Sequence, residues 1–207
     1  MSPTLAKEKN NDDGNFRKVL NKSLGIFFKD ALKATLLNPI QAYYFLRTIK
    51  WQKKAAQVRS NWGQQGIHVP PIMIFSITNR CNLQCKGCYN QALRQSPQEE
   101  MSEEKLKSVI AEAKELGISF IVIGGGEPLI RQEISDITRD FPEIIFLVFT
   151  NGLLIDDDWL TKLKGQNNFV PVISLEGYEE NTDERRGKGV YERLQGIIKK
   201  IKGRGIF

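Results

Sequence analysis

The chain has 207 residues, 41% of them hydrophobic and 26% charged, which suffices for one good core with an appendage but not for two independent domains. Its three cysteines, an odd number within eight consecutive positions, exclude a disulfide framework and point to a metal or redox site in a reducing compartment, so a cytoplasmic protein is expected. The formal charge of +6 is confined to the front: residues 1–70 hold twelve Lys and Arg against four Asp and Glu, leaving the remainder slightly acidic, which argues against nucleic-acid binding by the main body.

Met1 to Asn15 is polar, without the apolar core of a signal peptide, and no run of eighteen uncharged apolar residues occurs in the sequence, so neither secretion nor membrane spanning is expected. From Phe16 to Leu37, Val19, Leu20, Leu24, Phe27, Phe28, Ala31, Leu32 and Leu36 fall at the spacing of one helix face, with lysines and an arginine elsewhere around it. Asn38 and Pro39 then open a second helix, expected to run to about Arg59 and to be closed by Gly63 and Gly66. Two readings fit residues 16–59: peripheral contact with a membrane surface or partner, or a pair of helices packed on the outside of the following domain, which is the commoner use of amphipathic helices.

After Pro70 and Pro71 the pattern changes. Ile72 to Thr78 reads as a buried strand, Ser102 caps a helix with Leu106, Val109, Ile110, Ala113 and Leu116 on one face, and Ile118 to Ile123 reads as a second strand. The glycine loop Gly124-Gly125-Gly126 follows, then a helix to about Asp140, a strand over 144–150, a short helix over 159–163, a strand over 170–175 and a helix over 190–201. Such alternation predicts an α/β fold of right-handed βαβ units: a mainly parallel sheet, curved as a partial (βα) barrel or doubly wound, behind two N-terminal helices. The division expected is a helical extension over 1–69 and a core domain over 70–207. Gly205-Ile206-Phe207 reads as the start of a fifth strand, so the core is expected to be incomplete at its C-terminal end. In either architecture the loops after the strands should meet on one face.

One of those loops is Cys81-Asn82-Leu83-Gln84-Cys85-Lys86-Gly87-Cys88. Three thiolates in one short loop suit a compact cluster; soft sulfur ligands select iron–sulfur clusters, zinc or copper(I). A structural zinc site wants a fourth protein ligand, and the sole histidine, His68, lies before the intervening strand. Three ligands on a four-iron cluster leave one iron open, an arrangement for catalysis. Zinc and unligated thiols stay open as alternatives at this point.

The Cys-x-x-x-Cys-x-x-Cys loop after the first strand resembles the signature of the radical S-adenosylmethionine (SAM) superfamily, and the later strand ends resemble its remaining pattern in order. Gly124-Gly125-Gly126-Glu127-Pro128 is similar to the family's glycine-glycine-glutamate element, which implies that Gly125, Gly126 and Glu127 hold the amino group of SAM. On its own a glycine run before a helix is more often a turn or a phosphate nest, and Glu127 a cap residue. By the same resemblance, Asn151 ends the third strand at the cofactor, Ser174 and Glu176 lie against its ribose, and Arg186, before Gly187, meets its carboxylate with a bidentate fork. The family usually carries an aromatic residue just before the third cysteine; this sequence has Gly87 there and Tyr89 one place beyond the last cysteine.

The resemblance implies a radical SAM enzyme with a 4Fe-4S cluster on Cys81, Cys85 and Cys88. It would cleave SAM with one electron from a flavodoxin- or ferredoxin-like reductant and abstract hydrogen from a substrate that is a small molecule, peptide or lipid. No side chain is needed as an acid or base for that step. The rival reading is a non-catalytic zinc or iron–sulfur binding module.

Overall fold

The structure, a computed structural model, describes residues 39–93 and 99–204. The helix expected over 16–37 and the strand start at 205–207 lie outside the described residues. The chain divides into two units between Lys50 and Trp51. Helix α1 (Pro39–Gln64) crosses that division, and β1 (Ile72–Ser76), α2 (Asn90–Leu93), α3 (Glu103–Glu115), β2 (Phe120–Gly124), a 3-10 turn (Pro128–Ile130), α4 (Ile134–Arg139), β3 (Ile145–Thr150), α5 (Asp157–Leu163), β4 (Phe169–Ile173), α6 (Glu179–Arg186) and α7 (Val190–Gly203) follow. Among the described residues, no helix is long and apolar enough to cross a membrane.

The four strands form one parallel sheet in the order β1-β2-β3-β4, as the alternation predicts. Strand order equal to chain order across all four strands is the pattern of a barrel rather than of a doubly wound layer, whose order reverses at its switch point. Alternate strand residues divide between two faces. Phe75, Ile121, Ile123, Phe146 and Val148 are buried in a cluster with Leu106 and Ile110 of α3, Ile134 and Ile137 of α4, and Trp159 and Leu160 of α5. Each such side chain contributes about 1.5–3 kcal/mol by leaving water. The intervening row, Ile74, Val122, Leu147 and Val170, runs in register across the sheet on the opposite face, where Ile74 is 79% exposed.

Local chemistry sets the element ends. Ser102 Oγ accepts from Lys105 N at 3.2 Å to start α3, with Glu103 and Glu104 in the first turn complementing the helix dipole. The helix stops because Gly117, at φ +87°, turns back so that its own N–H meets Lys114 O and the N–H of Ile118 meets Ala113 O. Asp156 Oδ1 likewise accepts from Trp159 N at 2.9 Å to start α5.

Two expectations are corrected. α1 continues to Gln64 and takes Gly63 into its last turn; the stop falls at Gly66, where φ is +80°, with Trp62 O accepting from the N–H groups of Gln65 and Ile67. A glycine inside a helix costs only about 1 kcal/mol, less than the remaining turn returns. The single helix expected between the glycine loop and Asp140 is instead a 3-10 turn and the short α4, because the chain first turns through Arg131. The buried Arg131 guanidinium donates there to Ile77 O and Met101 O and pairs with Glu133.

Candidate functional site

The loops at the carboxyl ends of all four strands line one cavity of about 330 Å³. Cys81, Cys85 and Cys88 stand on one side of it, the backbone of Gly124, Gly125 and Gly126 forms another, and Thr150, Asn151, Ser174, Arg185 and Arg186 complete the polar lining. A second cavity of about 270 Å³ lies at the amino ends of the strands, lined mainly by Trp51, Ala55, Val58, Ile118 and Ile144. It contains no thiol and lies at the end where this class of fold does not build sites.

The cysteine loop is a fixed object. Gln91 Nε2 donates to Cys85 O at 2.6 Å, Cys88 N to the same carbonyl at 3.3 Å, and Asn90 Nδ2 to Asn79 O at 2.9 Å, so α2 ties the loop's two ends together. Lys86 N donates to Arg185 O at 2.8 Å, which attaches the loop to the end of α6. Gly87, at φ +67°, takes a left-handed conformation that side-chain-bearing residues rarely adopt. Tyr89 lines the cavity rim and is largely exposed.

The glycine loop owes its composition to the cysteine loop. Gly126 N donates to Thr78 O and Glu127 N to Arg80 O, each at 2.8 Å, and a Cβ at Gly125 or Gly126 would collide with those same carbonyls. The two loops are in main-chain contact, and only glycine permits the approach.

Glu127 does not line the cavity. Its carboxylate is fully buried and accepts from Leu129 N at 3.0 Å, Thr150 Oγ1 at 2.7 Å and Asn151 N at 2.7 Å. Burial pushes its carboxyl above the ordinary carboxylate range, against the pull of those three donors. Arg186 and Glu176 face each other: Arg186 Nε and Nη2 both donate to Glu176 Oε1, at 3.1 and 2.5 Å, and Arg185 Nη1 reaches Oε2 at 3.1 Å. Arg186, and then Arg185, hold the Glu176 carboxyl below its usual range. Burial pushes the Cys85 thiol up, an effect that nearby Arg186 partly offsets.

Of the residues singled out from sequence, the three cysteines, Gly125, Gly126, Asn151, Ser174 and Arg186 line the cavity together; Glu127 lies behind it, and Glu176 is engaged by two arginines. Sequence reading missed Arg185, Asn82, and the apolar floor of Ile74, Val122 and Phe149. The floor was readable from the two-residue alternation of the strands; the partners of Asn82 and Arg185 lie 69 and 9 residues away and leave no local signal.

The donor set fits an iron–sulfur cluster better than a single ion. A zinc ion needs its sulfurs about 2.3 Å from one point, and among the described residues no three His, Cys, Asp or Glu side chains are grouped to hold one ion. A cluster distributes its thiolates over several metal atoms, which suits three free thiols that line one cavity without converging on one point.

The sequence model of the Radical SAM superfamily matches residues 75–207. Fe-coproporphyrin III synthase of Methanosarcina barkeri is 34% identical over 131 residues, 61% of this chain and 33% of that protein. Mycofactocin maturase MftC of Mycolicibacterium smegmatis is 27% identical over 147 residues, 69% of this chain and 37% of its own length. Among solved structures, Streptococcus suis SuiB bound to its precursor peptide SuiA superposes with a TM-score of 0.60 at 20% identity, covering 74% of this chain and 35% of SuiB, a likeness of fold. SuiB bound to SAM gives 0.58 over the same shares. The chain thus spans about a third of the length of these relatives.

Proposed function

Since the chain belongs to the radical SAM superfamily, we propose that it holds a 4Fe-4S cluster on Cys81, Cys85 and Cys88, with SAM beside it, as part of a radical SAM enzyme. The observation that carries this reading is the convergence of three free thiols with the ends of β2, β3 and β4 on one cavity. When bound, the cluster and SAM together supply a 5'-deoxyadenosyl radical that removes a hydrogen atom from a substrate.

The chain's own residues have defined tasks under this reading. The thiols ligate the cluster, and the loop is already closed by Gln91 and Asn90, so little ordering is needed when metal arrives. The N–H groups of Gly126 and Glu127 are occupied by the cysteine loop, so the glycine stretch offers carbonyl lone pairs, which suit the ammonium of SAM. Glu127 serves that stretch as a buried bracket rather than as a direct contact. Arg186 gives two of its five donors to Glu176 and keeps others for a carboxylate, while Ser174 and Glu176 supply polar groups on the β4 side for a ribose. Ile74, Val122 and Phe149 give the cavity an apolar floor, which offers a radical no polar hydrogen to take.

Residues 70–207 are the portion of the catalytic domain in this reading, residues 1–69 an extension, and the reductant a flavodoxin- or ferredoxin-like protein. Relatives as differently named as an Fe-coproporphyrin III synthase and a mycofactocin maturase match 61% and 69% of this chain, so the likeness does not select among peptide, lipid and small-molecule substrates.

The test is anaerobic reconstitution with iron and sulfide, followed by electron paramagnetic resonance of the dithionite-reduced chain with and without SAM. A 4Fe-4S signal that shifts on adding SAM and is absent from Cys85→Ala is expected. A loaded metal site indifferent to SAM would overturn the reading in favour of a binding module.

A further inference from the structure

One chain of hydrogen bonds begins on a buried acid and ends on a cysteine sulfur. Glu127 Oε2 accepts from the main-chain N–H of Asn151 at 2.7 Å, and Glu127 Oε1 from Thr150 Oγ1, also at 2.7 Å, which itself accepts from Gly152 N at 2.9 Å. The backbone at the end of β3 is therefore held from below. The Asn151 side chain is then oriented by its own turn: Oδ1 accepts from Leu153 N at 3.0 Å, which directs the amide nitrogen to the cysteine loop. Nδ2 has two hydrogens and two acceptors, Asn82 Oδ1 at 2.7 Å and Cys81 Sγ at 3.8 Å.

Asn151 is thus occupied on both of its donors and on its oxygen, although it lines the cavity. A donor given to a bound nucleoside would have to be taken from the cysteine loop. Cys81 Sγ also accepts from Leu83 N at 3.4 Å, so this sulfur carries a second N–H donor.

We propose that Asn151 is a positioning residue for Cys81, pinning the cysteine loop through Asn82 and donating to the Cys81 sulfur so as to raise the reduction potential of the cluster held there. The second half of this rests on the cluster reading given above. The sign follows from charge: reduction adds an electron to a thiolate-ligated cluster, and an N–H dipole on a ligand sulfur stabilises the more negative state. Glu127 acts one step further back, by fixing the backbone from which Asn151 reaches.

Two variants of the full chain separate the parts. Asn151→Leu removes both the clamp and the donor to sulfur; Asn82→Ala, at an exposed position, removes the clamp and leaves the donor. In the metal-free chain, deuterium exchange over Cys81–Cys88 is expected to quicken about fivefold or more in both variants, as a segment loses local protection. In the reconstituted chain, a potentiometric titration read by electron paramagnetic resonance is expected to give a more negative midpoint for Asn151→Leu and a nearly unchanged one for Asn82→Ala. Equal midpoints for wild type and Asn151→Leu, or unchanged exchange in both variants, would overturn the proposal. If exchange responds as expected but no chain takes up a cluster, the clamp stands and the cluster reading falls. Should Asn151→Leu not fold, Asn151→Ser, which keeps a short acceptor for Leu153 N, replaces it in both measurements.

Discussion

The two ends of the same four strands are held by different means. At the amino ends, each link joins neighbours: Ser119 N and Phe120 N donate to Pro71 O, Ile145 N to Ser119 O, and Phe146 N to Asn168 O. The side chains of Gln166 and Asn168 donate there to α4 and the residues just after it. At the carboxyl ends, the loop after β1 passes over β2 and is tied to the end of β3 through Asn82 and Asn151, and to α6 beyond β4 through Lys86 and Arg185. Neighbour links follow from strand pairing and serve the fold. Links that skip strands need side chains placed for the purpose, and they occur where the thiols are.

The contrast is tested most severely by Cys85→Ala. Iron uptake should fall to background in a metal assay, while the unfolding free energy of the metal-free chain moves by under about 1 kcal/mol, because the thiol is only half-buried. Phe146→Ala, in the core, should do the reverse and cost about 3–5 kcal/mol in urea unfolding. Glu127→Ala lies between, at about 1–3 kcal/mol, since it leaves the buried Thr150 hydroxyl and Asn151 N–H without their acceptor. Glu176→Gln is the smallest, at about 1 kcal/mol or less, because its arginine partners keep partial contact with water.

The two acids should also answer pH with opposite signs. The Glu127 carboxyl is raised by burial, so its contribution favours the fold at low pH and weakens as pH rises from the ordinary carboxylate value through the raised one. Glu176 is lowered, chiefly by Arg186, so its contribution is full above the ordinary value and is lost as pH falls through the depressed one. Urea midpoints measured across the acid range should therefore flatten on one side for Glu127→Gln and on the other for Glu176→Gln. Identical profiles for both variants would dissolve the distinction between the buried bracket and the cavity-side pair.

What the sequence made legible follows the same contrast. The four strands were readable because they carry apolar residues on both faces, which writes short bounded apolar runs, and α3 and α7 because their apolar residues recur at helical spacing. The cysteines were legible because ligand spacing is itself the signal. Helix α6, Glu179–Arg186, escaped notice because only Thr182 in it is buried, so it carries no apolar period. Glu127 was recognisable as a site residue by its place after the glycines, but residue order does not say which way a side chain turns. That direction is set by Thr150 and Asn151, more than twenty positions later. The mutual engagement of Glu176 and Arg186 was hidden for the same reason: each has an evident charge, and only the fold makes each the other's partner.

Because strand order equals chain order, the sheet can be laid down as the chain is made, but the cysteine loop cannot be finished then. Cys81 leaves the ribosome 70 residues before Asn151, and Lys86 leaves it 99 before Arg185, the loop's two distant anchors. At ordinary elongation rates that interval is on the order of 5–20 s. During it three thiols that will line one cavity are on a loop held only by its local ties to Asn90 and Gln91, open to oxidants and to stray metal. Stalled nascent chains ending before and after Asn151, treated with an alkylating reagent, would show whether the loop becomes protected as that anchor arrives.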